Sequence, residues 1–87
     1  MRTRYRVTRV GSAIYRVDVY DSKDRLEESV IVILKRQLIT CSCEHFKTTP
    51  NPKSHKHVLV VRKFTSLGEP ANFLVWFNRD KVMEWIP

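Results

Sequence analysis

The chain has 87 residues, 43% hydrophobic and 29% charged, with a formal net charge of +7. That size and balance predict one folded domain, 1–87, and exclude a disordered chain; they also leave a core small enough to benefit from a metal. No apolar run approaches the roughly 20 residues of a membrane span, and the opening MRTRYRVTRV lacks the apolar centre of a secretory signal, so a cytoplasmic protein with reduced thiols is expected.

In chain order, residues 4–10 and 13–20 alternate as strands, with Gly11-Ser12 between them as a hairpin turn. In the second strand Tyr15, Val17 and Val19 share one face, and Arg16 and Asp18 take the other. Residues 21–24 read as a polar turn. The β-branched run of residues 28–34 is apolar on both faces and predicts a central strand. A turn at 35–37 and a short strand at 38–40 then deliver Cys41 and Cys43.

Pro50 and Pro52 keep residues 44–54 from being regular throughout, so this stretch reads as a loop. A helix is expected from about Ser54, an N-cap residue, to about Leu67, with Gly68 and Pro70 as stop signals. It places His57, Val60, Val61 and Phe64 on one face and Lys56 with Lys63 on another, against the weak helix propensity of its valines. Residues 73–77 suit either a last strand or a buried helical turn. Asn78 or Asp80 is read as the cap of a short terminal helix with Val82, Trp85 and Ile86 on its apolar side. The fold class expected is α+β: a small antiparallel sheet of hairpins followed by a helix, with 4–20 as the first hairpin, about 28–67 as the core unit and 71–87 as a cover.

Cys41-Ser42-Cys43 and His55-Lys56-His57 are the chemistry-bearing features. Two cysteines one residue apart at a strand end place both sulfurs on one side of the backbone. Two histidines at a helix entrance converge only if the first stands before or within the first turn. Together they suit a closed tetrahedral structural zinc ion. His45 extends the first pair as C-x-C-x-H and is a rival to His55, better placed near the site than in it.

Both pairs resemble the SWIM-type zinc finger, in which C-x-C, a variable loop and C-x-H lead into a helix. Cys41, Cys43 and Phe46 match the first half, and His55, His57 and the aliphatic residues 58–60 match the second. The likeness runs from about residue 13 to 66 and includes the lead-in strands. It departs at His55, which stands where the family usually has cysteine. The resemblance implies a ββα zinc module for DNA binding or protein interaction, of the kind found in transposases, chromatin-type ATPases and recombination-associated proteins.

The charge pattern agrees. Arg2, Arg4, Arg6 and Arg9 crowd residues 1–10 without an acid, and Lys47, Lys53, Lys56, Arg62 and Lys63 face Glu44 alone across 41–66. Such clusters favour a polyanion, with nucleic acid first. Lysine predominance near the histidines suits phosphate neutralisation, hence DNA with low sequence specificity; Arg2, Arg4 and Arg6 form a second contact line. The other reading is a protein adaptor, partner of a recombination or other DNA-processing factor, suggested by the aromatic tail of Phe73, Trp76, Phe77 and Trp85. No paired carboxylates sit in apolar surroundings and only two glycines are present, so no phosphate loop or catalytic constellation is expected.

Overall fold

The computed structural model describes residues 3–48, 51, 55–70, 73–78 and 81–85. Among them six strands form one antiparallel sheet: β1 (Arg4–Gly11), β2 (Ile14–Tyr20), β3 (Leu26–Leu34), β4 (Ile39–Cys41), β5 (Leu74–Asn78) and β6 (Lys81–Trp85). Their order across the sheet is β4-β3-β2-β1-β5-β6. A short 3-10 helix, Glu44–Thr48, follows β4, and one α-helix, α1 (Lys56–Ser66), packs on a single face of the sheet.

The period of two decides which face α1 covers. Tyr5 and Val7 of β1, Tyr15, Val17 and Val19 of β2, Val30 and Val32 of β3 and Val75 of β5 are all buried on that face. Val58, Val60, Val61 and Phe64 come down from α1 to meet them, and Phe73 fills the gap beside β5. The Phe64 ring meets Tyr15 edge-on at 6.1 Å and Phe73 at 5.2 Å. Valines that disfavour an isolated helix are here fully enclosed, and that burial outweighs their propensity by a wide margin.

Several sequence expectations are adjusted. The first turn is Ser12-Ala13, not Gly11-Ser12: a register shift after Arg9 lets Gly11 pair with Ile14, and Ala13 takes the left-handed conformation, φ 59°. A Cβ at Gly11 would approach Ile14 Cδ1 to 3.3 Å. β3 is central, as expected, but buried on one side only, because Ile31 is 38% exposed on the face away from α1. The loop after Cys43 begins with the 3-10 helix. His55, extended at φ −64° and ψ 134°, holds the N-cap position of α1; Ser54, expected there, lies outside the described residues.

The C-terminal half of α1 closes as foreseen. Gly68, φ 81°, donates its N–H to Thr65 O, and Glu69 N donates to Phe64 O at 3.0 Å, the paired bonds of a Schellman end. The strand alternative for 73–77 holds, and the terminal helix does not form: β6 pairs with β5, placing Trp76 opposite Met83 and Leu74 opposite Trp85. This segment extends the sheet beside β1 instead of lying across it. Asp80 and Ile86, named for that helix, lie outside the described residues.

Candidate metal centre

Cys41 ends β4 and Cys43 stands two residues beyond that end, at the entry to the 3-10 helix. Ser42 between them fixes the knuckle to β3: its N–H donates to Ile31 O and its Oγ accepts from Ile31 N–H, both at 2.9 Å. The serine looks outward and both sulfurs look inward. That division follows from the alternation of an extended chain.

On the other side, His55 sits on extended backbone and His57 in the first turn of α1, so the two imidazoles converge where mid-helix neighbours would diverge. They use different nitrogens. Cys43 Sγ lies 3.1 Å from His55 Nε2, and Cys41 Sγ lies 3.3 Å from His57 Nδ1. His55 Nε2 and His57 Nδ1 are 3.1 Å apart. All four donor atoms lie within 4.8 Å of one another, and all four residues are buried. Bonds of about 2.3 Å to sulfur and 2.0–2.1 Å to nitrogen would separate tetrahedral donors by about 3.3–3.8 Å. The three short contacts are within about half an ångström of that and the widest separation stays within 4.8 Å, so these residues can hold a metal ion.

Burial, with Cys43 beside it, pushes the Cys41 thiol up to about 12. A buried thiol pair of this kind becomes a thiolate pair when a cation is there to compensate the charge. Around the donors the packing is aromatic: Phe46 meets the His55 ring edge-on at 5.3 Å, and Tyr5 meets His57 at 5.9 Å. Burial first, then Glu28 and Glu27, raise the Tyr5 phenol above its usual value, so it stays neutral.

Two contributors escaped the sequence reading. Ser42 is one. The other is Glu28, whose Oε1 lies 3.8 Å from His57 Nε2, the nitrogen turned away from the sulfurs. A carboxylate there favours the tautomer that leaves Nδ1 free to bind metal. The β-ladder that brings Glu28 opposite Val19 was not visible locally. His45 falls in the 3-10 helix and its side chain lies outside the described ones; the four-donor cluster is complete without it.

The basic residues divide into two groups. Lys47, Lys56 and Arg62 are exposed and Lys63 half-buried, all on the 3-10 helix or α1. Arg4 and Arg6 alternate with buried Tyr5 and Val7 and therefore lie on the opposite face of the sheet. They cannot share one flat contact with the helix. Arg2 and Lys53 lie outside the described residues. Of the aromatic tail, Phe73 is 1% exposed and belongs to the core. No helix among the described residues is long and apolar enough to cross a membrane. No family model matches the chain, and no curated protein or solved structure does.

Proposed function

We propose that this chain is a structural zinc module of SWIM type that binds nucleic acid, DNA foremost, through its phosphates. A borderline-soft ion with no geometric demand of its own suits two thiolates and two imidazoles, which makes zinc the metal of choice. With four protein donors no coordination position remains for a reacting water, so the ion acts on the fold and the module is not an enzyme. A Cys-x-Cys at a strand end with His-x-His at a helix entrance is the arrangement that the finger resemblance implies, with His55 in the place of a cysteine.

The observation that carries the nucleic-acid reading is the outer side of α1. Lys56 stands exposed between the two buried histidines, and Arg62 and Lys63 follow on a helix that contains no acid. Metal and core together hold that cationic helix rigid, and Lys47 extends the patch from the 3-10 helix. The ordering cost of these cations is partly met before binding, which favours phosphate contact without base reading.

A salt titration of duplex binding tests the reading. Four phosphate contacts predict a log–log slope of about −3 to −4, and little discrimination between unrelated sequences of one length. Undetectable binding at low salt, or an affinity indifferent to salt, would refute it.

A further inference from the structure

The face of the sheet turned away from α1 carries a second pattern that the helix-side contact leaves unused. In one row across the strands Tyr20 stands opposite Arg4, and Arg4 stands opposite Trp76. In the next row Asp18 stands opposite Arg6, and Arg6 opposite Leu74. Tyr20, Leu74 and Trp76 are half-buried, and Arg6 is exposed. Between the rows opens a cavity of about 240 Å3 lined by Arg4, Arg6, Tyr20, Asp24 and Leu74.

We infer that this open face binds single-stranded nucleic acid, with Tyr20 and Trp76 taking bases and Arg6 taking phosphate. The inference rests on the nucleic-acid reading above and adds to it a separate surface and a strand class. Aromatic rings alternating with arginine on a broad sheet fit unpaired bases, whose faces are free to stack while the backbone follows the cations. A duplex keeps its bases stacked on each other and offers such a face only phosphates.

The charges of the face are arranged for it. Arg4 pairs with Asp24, and Arg16 Nε lies 3.4 Å from Asp18 Oδ1, which also accepts a 2.6 Å bond from Ser29 Oγ. Both acids are thereby engaged. The Arg6 guanidinium has no ion pair or hydrogen bond among the described residues, although Asp18 is its direct cross-strand neighbour. It is the cation left for an anion from outside, directly opposite Leu74 in the row beside that of Tyr20 and Trp76.

The test uses fluorescence anisotropy on the zinc-loaded full chain with labelled oligo-dT, oligo-U and a DNA duplex of equal length. Trp76→Ala and Tyr20→Ala should each weaken single-strand binding about tenfold or more and change duplex binding less than twofold. Arg6→Glu, at an exposed position that spares the core, should weaken single-strand binding in the same selective way. Neutralising Lys56, Arg62 and Lys63 together with glutamine should weaken the duplex most. Retained, salt-dependent duplex binding with single-strand affinity unmoved by all three sheet-face variants would overturn this inference alone. No binding to any probe at low salt would overturn the general reading as well. A concentration-dependent dimer that Arg6→Glu dissolves, without selective loss of single-strand binding, would assign the face to a second copy and also refute the proposal.

Discussion

At the scale of the residue, the candidate metal centre is bordered by polar side chains outside the donor set. Glu28 Oε1 stands 3.8 Å from the outer nitrogen of His57, and Ser42 ties the cysteine knuckle to β3. Glu28→Gln keeps the size of the side chain and removes its charge, so the imidazole loses the carboxylate that favours the tautomer with Nδ1 free. Zinc affinity, measured by competition with a chelator, should fall about tenfold, with stoichiometry unchanged at saturation. His45→Ala should leave both quantities as they are; loss of metal in that variant would redraw the donor set.

Another residue-scale device is the Asp21 turn. Its Oδ1 accepts from the backbone N–H of Lys23 and Arg25, each at 2.9 Å, and its Oδ2 accepts from Arg25 Nε at 3.0 Å. The Arg25 backbone hydrogen bond above all, with that of Lys23 and the Arg25 side chain, lowers the Asp21 carboxyl below 3.8. A carboxylate favoured in the folded state adds stability above its unfolded value, and the gain fades as pH falls through the folded value. The urea midpoint of Asp21→Asn should therefore lie below that of the parent by the same margin at pH 7 and pH 5. A margin already shrinking between those two values would contradict the assignment.

At the scale of the element, legibility in the sequence tracks how local the determining interactions are. β1 and β2 announce themselves because period-two burial is written into consecutive residues, β3 because of its β-branched run, and the end of α1 because Gly68 supplies the left-handed turn. The four donors were readable for the same reason: spacing alone placed Cys41 with Cys43 and His55 with His57. The tail was not. Val82, Trp85 and Ile86 fit a helical stripe as well as a strand, and the choice is made by pairing of β5 with β1, about seventy residues away along the chain. The two-sided split of the arginines from the lysines depends on that same sheet, and no inspection of charge clusters could have revealed it.

Phe64 is where α1 is most sensitive. It is 4% exposed and wedged between the Tyr15 and Phe73 rings. Phe64→Ala should cost about 3–5 kcal/mol by chemical denaturation at saturating zinc, because few neighbours can close over the gap. A loss below about 1 kcal/mol would mean that α1 is held chiefly by the metal.

At the scale of the whole molecule, one layer of helix on one sheet leaves a modest core, and the centre sits where the two layers meet. Cys41 belongs to the end of an edge strand and His57 to the first turn of α1, so an ion among them would tie sheet to helix. Metal binding and folding are then one equilibrium. The same tie leaves two outward surfaces: a lysine-bearing helix on one side and an arginine and aromatic sheet face on the other. On the proposed reading the duplex contact and the single-strand contact belong to these different faces.

X-ray absorption at the zinc edge of the purified protein, with metal analysis of the same sample, tests the central claim most directly. One zinc per chain with two sulfurs at about 2.3 Å and two nitrogens at about 2.0–2.1 Å is the predicted result. A cooperatively folded protein that binds no metal, or a shell made only of nitrogen and oxygen, would contradict it.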